Sequence, residues 1–296
     1  MIWVTWRQHR TQAIVCVGLF CLIAVFAVVT GAWMRSTFNA DGLGTCLART
    51  GGAGCPALIS SFVRKFTGPV MMPVTIMLFA VPGFLGAAVG GPLLGQELER
   101  GTWRLAWSQT VPRTKWLVTQ LTLVTGGLVV FGAAVTAVMT WSRAPLDQLS
   151  IRLQPPPFNF EGLSLTCSLL CAFGLGVLAG LLLRNTIGAM AAAYFAWEVP
   201  FLLVTLLTGP LNILSATERI PCRDGCAGAS TNSVPPVTGH LGDLVLNVTR
   251  SGNELVVSYL PDSRFWTLQL IAGGLFLAIA AAALGTAVWL LHRRTT

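Results

Sequence analysis

An all-α integral membrane protein of six transmembrane helices is the fold this sequence predicts, on three observations. Hydrophobic residues make up 54% of the 296 and charged residues 10%, against roughly 25% charge in a soluble domain. Six apolar runs of about 20 residues or more are nearly free of charge, which is the length needed to cross about 30 Å of hydrocarbon. The formal net charge is +8, and of the 19 basic residues only Lys65 and Lys115 are lysines. These cations sit at the ends of the apolar runs with no continuous basic stripe, so they read as topological signals in a lipid bilayer and not as a nucleic-acid surface. Residues 1–296 form a single membrane domain on this reading.

The chain opens with MIWVTWRQHR, which sets Ile2, Trp3 and Trp6 near Arg7 and Arg10 and suits a short interfacial helix lying at the inner surface. Span 1 is 14–33, uncharged and closed by Trp33. It is too long for a signal-peptide core and no small-residue cleavage site follows, so it is expected to remain as a helix. Residues 34–67 are polar and glycine-rich and contain Cys46 and Cys55. Span 2 is 70–94, with a kink expected at Pro82-Gly83 and close packing at Gly86 and Gly90.

Span 3 is 116–141, with a tryptophan at each end. Residues 142–162 follow as a loop stiffened by Pro155, Pro156 and Pro157. Span 4 is 163–183, where Gly176 and Gly180 offer a second packing face. Only Arg184 and Asn185 separate it from span 5, 186–207, which requires an antiparallel hairpin. Residues 208–264 form a large outer-loop subdomain with Cys222 and Cys226, and its runs 243–248 and 254–260 alternate like short strands. Pro210 and Pro221 argue against one continuous helix there. Span 6 is 266–290.

Orientation follows from the density of basic residues. With the amino terminus inside, Arg7, Arg10, Arg100, Arg104, Arg113, Lys115, Arg184, Arg293 and Arg294 crowd into short inner segments, whereas the remaining cations are spread over long outer ones. Both termini are then cytoplasmic. Cysteine placement agrees: Cys46, Cys55, Cys222 and Cys226 fall outside, where an oxidising compartment permits disulfides, and proximity in sequence suggests Cys46 with Cys55 and Cys222 with Cys226.

The strongly charged stretch between spans 2 and 3 is 95–116, GQELERGTWRLAWSQTVPRTKW. Thr102 suits the cap of a short helix from Trp103 that Pro112 limits. Trp103 and Trp107, four apart, place two rings on one face at headgroup depth. E-x-E-R-G-T-W-R-L followed by Q-T-V-P-R-T-K-W resembles the loop after the second membrane helix of ATP-binding-cassette (ABC) export permeases of the six-span, type-2 class, and the order of spans is similar along the whole chain. The resemblance implies that this loop holds a cytoplasmic coupling helix docking into a separate ABC ATPase subunit. It assigns Glu99, Arg100, Gly101, Thr102, Leu105 and Arg113 to the docking surface, with Glu97, Trp103 and Arg104 in the same loop. The family often places a basic residue a few positions into the next helix, where this chain has Gln120. The resemblance further implies an elbow helix at residues 1–10, short re-entrant helices within 211–220, a second permease copy as homodimer or heterodimer, a cell-membrane location and outward transport.

No G-x-x-x-x-G-K-[ST] loop is present, so ATP and Mg belong to the partner ATPase and no cofactor is expected in this chain. No H-E-x-x-H occurs, and His9, His240 and His292 lie in termini or a loop, so neither a metal site nor a hydrolase is expected. Glu198 reads as the one charged side chain within a span, at roughly 3 kcal/mol on insertion scales. It is either a substrate or proton site or a carboxyl hydrogen-bonded within the bundle. Two alternatives follow: a proton-coupled secondary transporter using Glu198, which predicts internal repeats not found in the loop lengths, and a non-transporting membrane sensor or scaffold.

Overall fold

Among the described residues, six helices are long and apolar enough to cross a membrane, with candidate spans Arg10–Ala40, Phe79–Gln96, Val118–Asp147, Ser164–Leu183, Thr186–Leu206 and Asp262–Arg293. The computed structural model describes residues 2–50, 55–67, 72–99, 113–149, 153, 157–208, 215–221, 244–251 and 254–293. Helix α1 (Ile2–Ala40) is unbroken. Residues 2–17 contain neither glycine nor proline, so helix propagation continues through the segment expected to turn along the surface. The separate elbow is replaced by one helix. Its 39 residues reach about 58 Å at 1.5 Å per residue, well past about 30 Å of hydrocarbon.

Two short helices, α2 (Leu43–Thr50) and α3 (Pro56–Lys65), follow. Pro56 stands in the first turn of α3, where its missing N–H is not required. Both fold against the far end of α1 through Met34, Leu43, Phe62 and Phe66, which share a buried cluster with Leu146 and Leu149. Helix α4 (Met72–Glu99) runs through Pro82 and Pro92. Helix α5 (Arg113–Asp147) continues past Trp141 and through Pro145. Trp141 therefore does not end the span, and Arg143 joins Glu198 as a charged residue inside a candidate span, as does Arg35 in α1. A single turn, α6 (Pro157–Phe160), leads into α7 (Ser164–Leu183), then α8 (Thr186–Thr208).

Helix α7 is the axis of the bundle. Of its span 67% is buried, against 17% for the span of α1, because α4, α5 and α8 all pack on it. The last helix, α9 (Phe265–Arg293), packs on it as well. Helix α1 lies at the periphery against α5.

Between α8 and α9 the chain forms a three-stranded antiparallel sheet in the order β1-β3-β2, from β1 (Ala216–Pro221), β2 (Leu244–Ser251) and β3 (Glu254–Leu260). The alternation that predicted two strands is present in β2 and β3, with a register shift between Val245 and Asn247. Over 216–220 a third strand stands where re-entrant helices were expected within 211–220: Ala216 pairs with Tyr259 and Ile220 with Leu255. Along β1 the exposure alternates, Thr217 and Arg219 outward and Ala216 and Glu218 half-buried, the two-residue period of a strand. Residues 209–214 lie outside the described residues. The sheet rests on the bundle through Leu244, Leu246 and Leu260, which pack in one cluster with Phe158, Phe265 and Leu268.

Candidate functional site

The charged stretch can be followed up to Glu99. There the α7–α8 hairpin meets the end of α4. Arg184 closes α7 in the left-handed conformation at φ 51° and donates its N–H to the Gly180 carbonyl at 3.2 Å. Asn185 then caps α8, its Oδ1 accepting from the Gly188 N–H at 2.9 Å. Glu99 adds a second cap, this one anionic, with Oε2 accepting from the Thr186 N–H at 3.0 Å and the Thr186 hydroxyl at 2.8 Å. A carboxylate at this position is favoured by the free N–H groups and the dipole of α8. One turn earlier on α4, a Cβ on Gly95 would lie only 3.3 Å from the Thr186 Cα, so the two backbones run close together.

Of the residues assigned to docking, Glu99 is thus held by Thr186 of the same chain. Glu97 lies in the last turn of α4 and Arg113 opens α5. Arg100, Gly101, Thr102, Trp103, Arg104 and Leu105 lie outside the described residues. Gln120, at the family's basic position, is buried.

The rigidity behind this end comes from a glycine seam. A Cβ on Gly86 of α4 would stand 2.6 Å from the Leu169 carbonyl oxygen of α7, one on Gly176 2.9 Å from the Gly91 nitrogen, and one on Gly180 2.7 Å from the Gly91 oxygen. The two small-residue faces expected from the sequence pack on each other, which places backbone against backbone in the manner of membrane helices. Farther along, Gly83 makes room for the Trp197 ring, and the Trp197 indole N–H donates to Ser168 Oγ at 2.9 Å. Phe79 and Phe201 stack edge to face beside it, centroids 4.5 Å apart. Helices α4, α7 and α8 therefore form a packed unit.

Glu198 is half-buried beside the fully buried Trp197, with Phe195 71% and Val199 69% exposed on its other flank. Its carboxylate neighbours the Tyr194 hydroxyl, one turn back on the same helix, as the four-residue spacing allows. Among the described residues no cation stands within ion-pair distance of it.

Two polar constellations were not anticipated. Arg143 Nε and Glu161 Oε1 form an ion pair at 3.0 Å, with side chains 3% and 0% exposed. It joins the end of α5 to the corner before α7. The signal was present as two opposite charges flanking loop 142–162, but a span ended at Trp141 placed Arg143 in water. Gln269, the one amide in the last apolar run, is fully buried. Its Oε1 accepts from the N–H groups of Leu163 at 3.2 Å and Ser164 at 2.9 Å, and its Nε2 donates to the Phe158 carbonyl at 2.8 Å. A distant helix thereby supplies the cap for α7. Gly162, at φ +63°, fits against it, since a Cβ there would lie 3.0 Å from the Gln269 side chain.

At the opposite end from Glu99, Cys46 and Cys55 are joined as a disulfide with Cα atoms 6.3 Å apart, closing α2 onto α3. Cys222 and Cys226 lie outside the described residues. Arg35 ties α1 to α5, donating to the Trp141 carbonyl with its guanidinium 3.9 Å over the Trp141 ring. Among the described residues, no three histidine, cysteine or acidic side chains come together as a metal site would require.

Comparison with known families gives one match. Residues 17–208, from the second turn of span 1 to the end of α8, match the family model described as ABC-2 membrane transporter related. No curated protein and no solved structure matches the chain.

Proposed function

The chain belongs to the ABC-2 membrane transporter related family, and from this premise we propose that it is the membrane-spanning permease subunit of an ABC exporter. It moves its substrate outward on energy from a separate ATPase subunit that docks on the loop 100–112. Two permease copies form the path, in the cell membrane, with both termini cytoplasmic and the sheet between α8 and α9 outside. ATP and Mg are bound by the ATPase.

The observation that carries this reading is the Glu99–Thr186 contact, because it lies where α4 leads into the charged loop. A force applied to residues 100–112 reaches α4 directly. Through the Glu99 cap and the glycine seam it reaches α7 and α8 at the same time. Closure of the ATPase subunits therefore tilts three helices together as one lever, biasing the permease between inward- and outward-open packings.

Co-purification in detergent with the candidate ATPase from the same organism tests the proposal, comparing the intact chain with a Gly101→Pro, Arg104→Glu double variant. Retention of the ATPase by the intact chain and its loss from the variant is the expected result. An intact, folded chain that retains no ATPase would sink the driven-permease reading.

A further inference from the structure

Helices α1 and α5 run parallel and are closest near one end, where a Cβ on Gly31 would come within 2.9 Å of the Ser142 Cα. They remain packed together through the cluster of Ile23, Ala27, Val135 and Met139. Toward the amino-terminal end they part, and a cavity of about 540 Å³ opens between them with Val89 of α4 at its back. Cys16, Phe20, Leu123, Leu128 and Phe131 line it, and Gln12 marks its mouth. The floor is low because α5 carries Gly126-Gly127, where a Cβ at either position would meet nothing within 4 Å. Paired glycines in a membrane helix cost helix propensity and usually admit a close neighbour. Here no helix stands opposite among the described residues.

We infer that this wedge holds an acyl chain of an anionic phospholipid from the leaflet at the amino-terminal end, with the headgroup at Arg10. The lining belongs to spans 1, 2 and 3, so the surrounding medium is hydrocarbon. A second helix, about 10 Å across, does not fit between two helices that still share the Ile23, Ala27, Val135 and Met139 cluster, whereas a single acyl chain does. Arg10, Ala13, Val17 and Phe20 follow one another at helical spacing, which puts the exposed Arg10 above the mouth. Residues 1–40 and 113–146 contain no acidic residue, and Arg113 and Lys115 fall in the first turn of α5 at the same end. The charge that α1 and α5 bring to that end is therefore positive and complements an anionic headgroup.

Native mass spectrometry of the intact chain in mild detergent tests this, using phosphatidylglycerol and phosphatidylcholine with identical dioleoyl chains. Because the ATPase is absent, the result is independent of the transport proposal. The intact chain is expected to retain one phosphatidylglycerol where phosphatidylcholine is stripped. Gly127→Leu, which fills the floor, removes the bound lipid, and Arg10→Gln lowers the preference for phosphatidylglycerol about fivefold, the worth of one cation at an anionic surface. A readout needing no variant is alkylation of Cys16, located by peptide mapping, which phosphatidylglycerol slows and phosphatidylcholine does not. Equal retention of both lipids, unchanged binding in Gly127→Leu, or unprotected Cys16 each overturns the inference. So does a Gly127→Leu chain that keeps its lipid but loses self-association, which would assign the wedge to a second copy.

Discussion

The carboxylate of Glu99 accepts both the backbone N–H and the side-chain hydroxyl of Thr186, at 3.0 and 2.8 Å. It thus joins the last residue of α4 to the first of α8 across 87 positions of sequence. If this contact transmits force, its loss affects coupling more than folding. We expect Glu99→Ala to cost about 1 kcal/mol, as loss of a helix cap does, while transport per ATP hydrolysed falls several-fold in the reconstituted complex. Thermal unfolding and paired transport and hydrolysis rates check this; Thr186→Ala should behave alike, and the double variant should add little. Unchanged coupling in all three would remove Glu99 from the mechanism.

The glycine seam gives a contrast of sign. Gly90→Ala drives a methyl group into the Phe173 carbonyl and is expected to destabilise the bundle by about 1–3 kcal/mol. Gly285→Ala, on an α9 surface with nothing within 4 Å, is expected to stabilise by roughly 0.5–1 kcal/mol through helix propensity. Melting temperatures of the two purified variants would refute the seam if they moved in the same direction.

For the buried Arg143–Glu161 pair, removal of one partner leaves an uncompensated charge. Arg143→Ala is therefore expected to cost about 3–5 kcal/mol, whereas Arg143→Met combined with Glu161→Leu should come close to the parent or exceed it. Chemical or thermal denaturation in detergent distinguishes these outcomes, and a double variant as unstable as the single one would contradict the pairing.

Glu198 is expected to tolerate Glu198→Gln, because the amide keeps the size and polarity of the side chain and no cation stands within ion-pair distance of it among the described residues. Transport assayed between pH 6 and pH 8 should keep its rate and its pH dependence. A folded Glu198→Gln chain without transport, or with a flattened pH profile, would restore a proton or substrate role.

The six spans were legible because freedom from charge over 20 residues is a local property, and the β2–β3 pair because alternation is. Helix ends were less so. Trp141 reads as an interface residue, yet the helix continues to Asp147, since Arg143 finds Glu161 instead of water. Residues 1–10 have the composition of a surface helix, but absence of a breaker let α1 run on. Ala216–Pro221 became a strand because β3 offered an edge 33 to 43 residues farther along, from Glu254 opposite Pro221 to Tyr259 opposite Ala216, information no short window contains. The Glu99 cap was hidden for the same reason: its motif suggested a partner protein, while its observed partner sits in span 5.

Gln269 has a consequence for synthesis. The α7 amino terminus emerges from the ribosome more than a hundred residues before the side chain that caps it. Until α9 is made, the Leu163 and Ser164 N–H groups and the Phe158 carbonyl lack their eventual partner, in surroundings where apolar side chains dominate. The nascent five-span chain is therefore an incomplete product whose maturation waits on its final segment. A chain halted after Thr208 should be cleared by membrane proteases faster than the full one, measured by pulse-chase, with Gln269→Leu in the complete chain reproducing part of that loss.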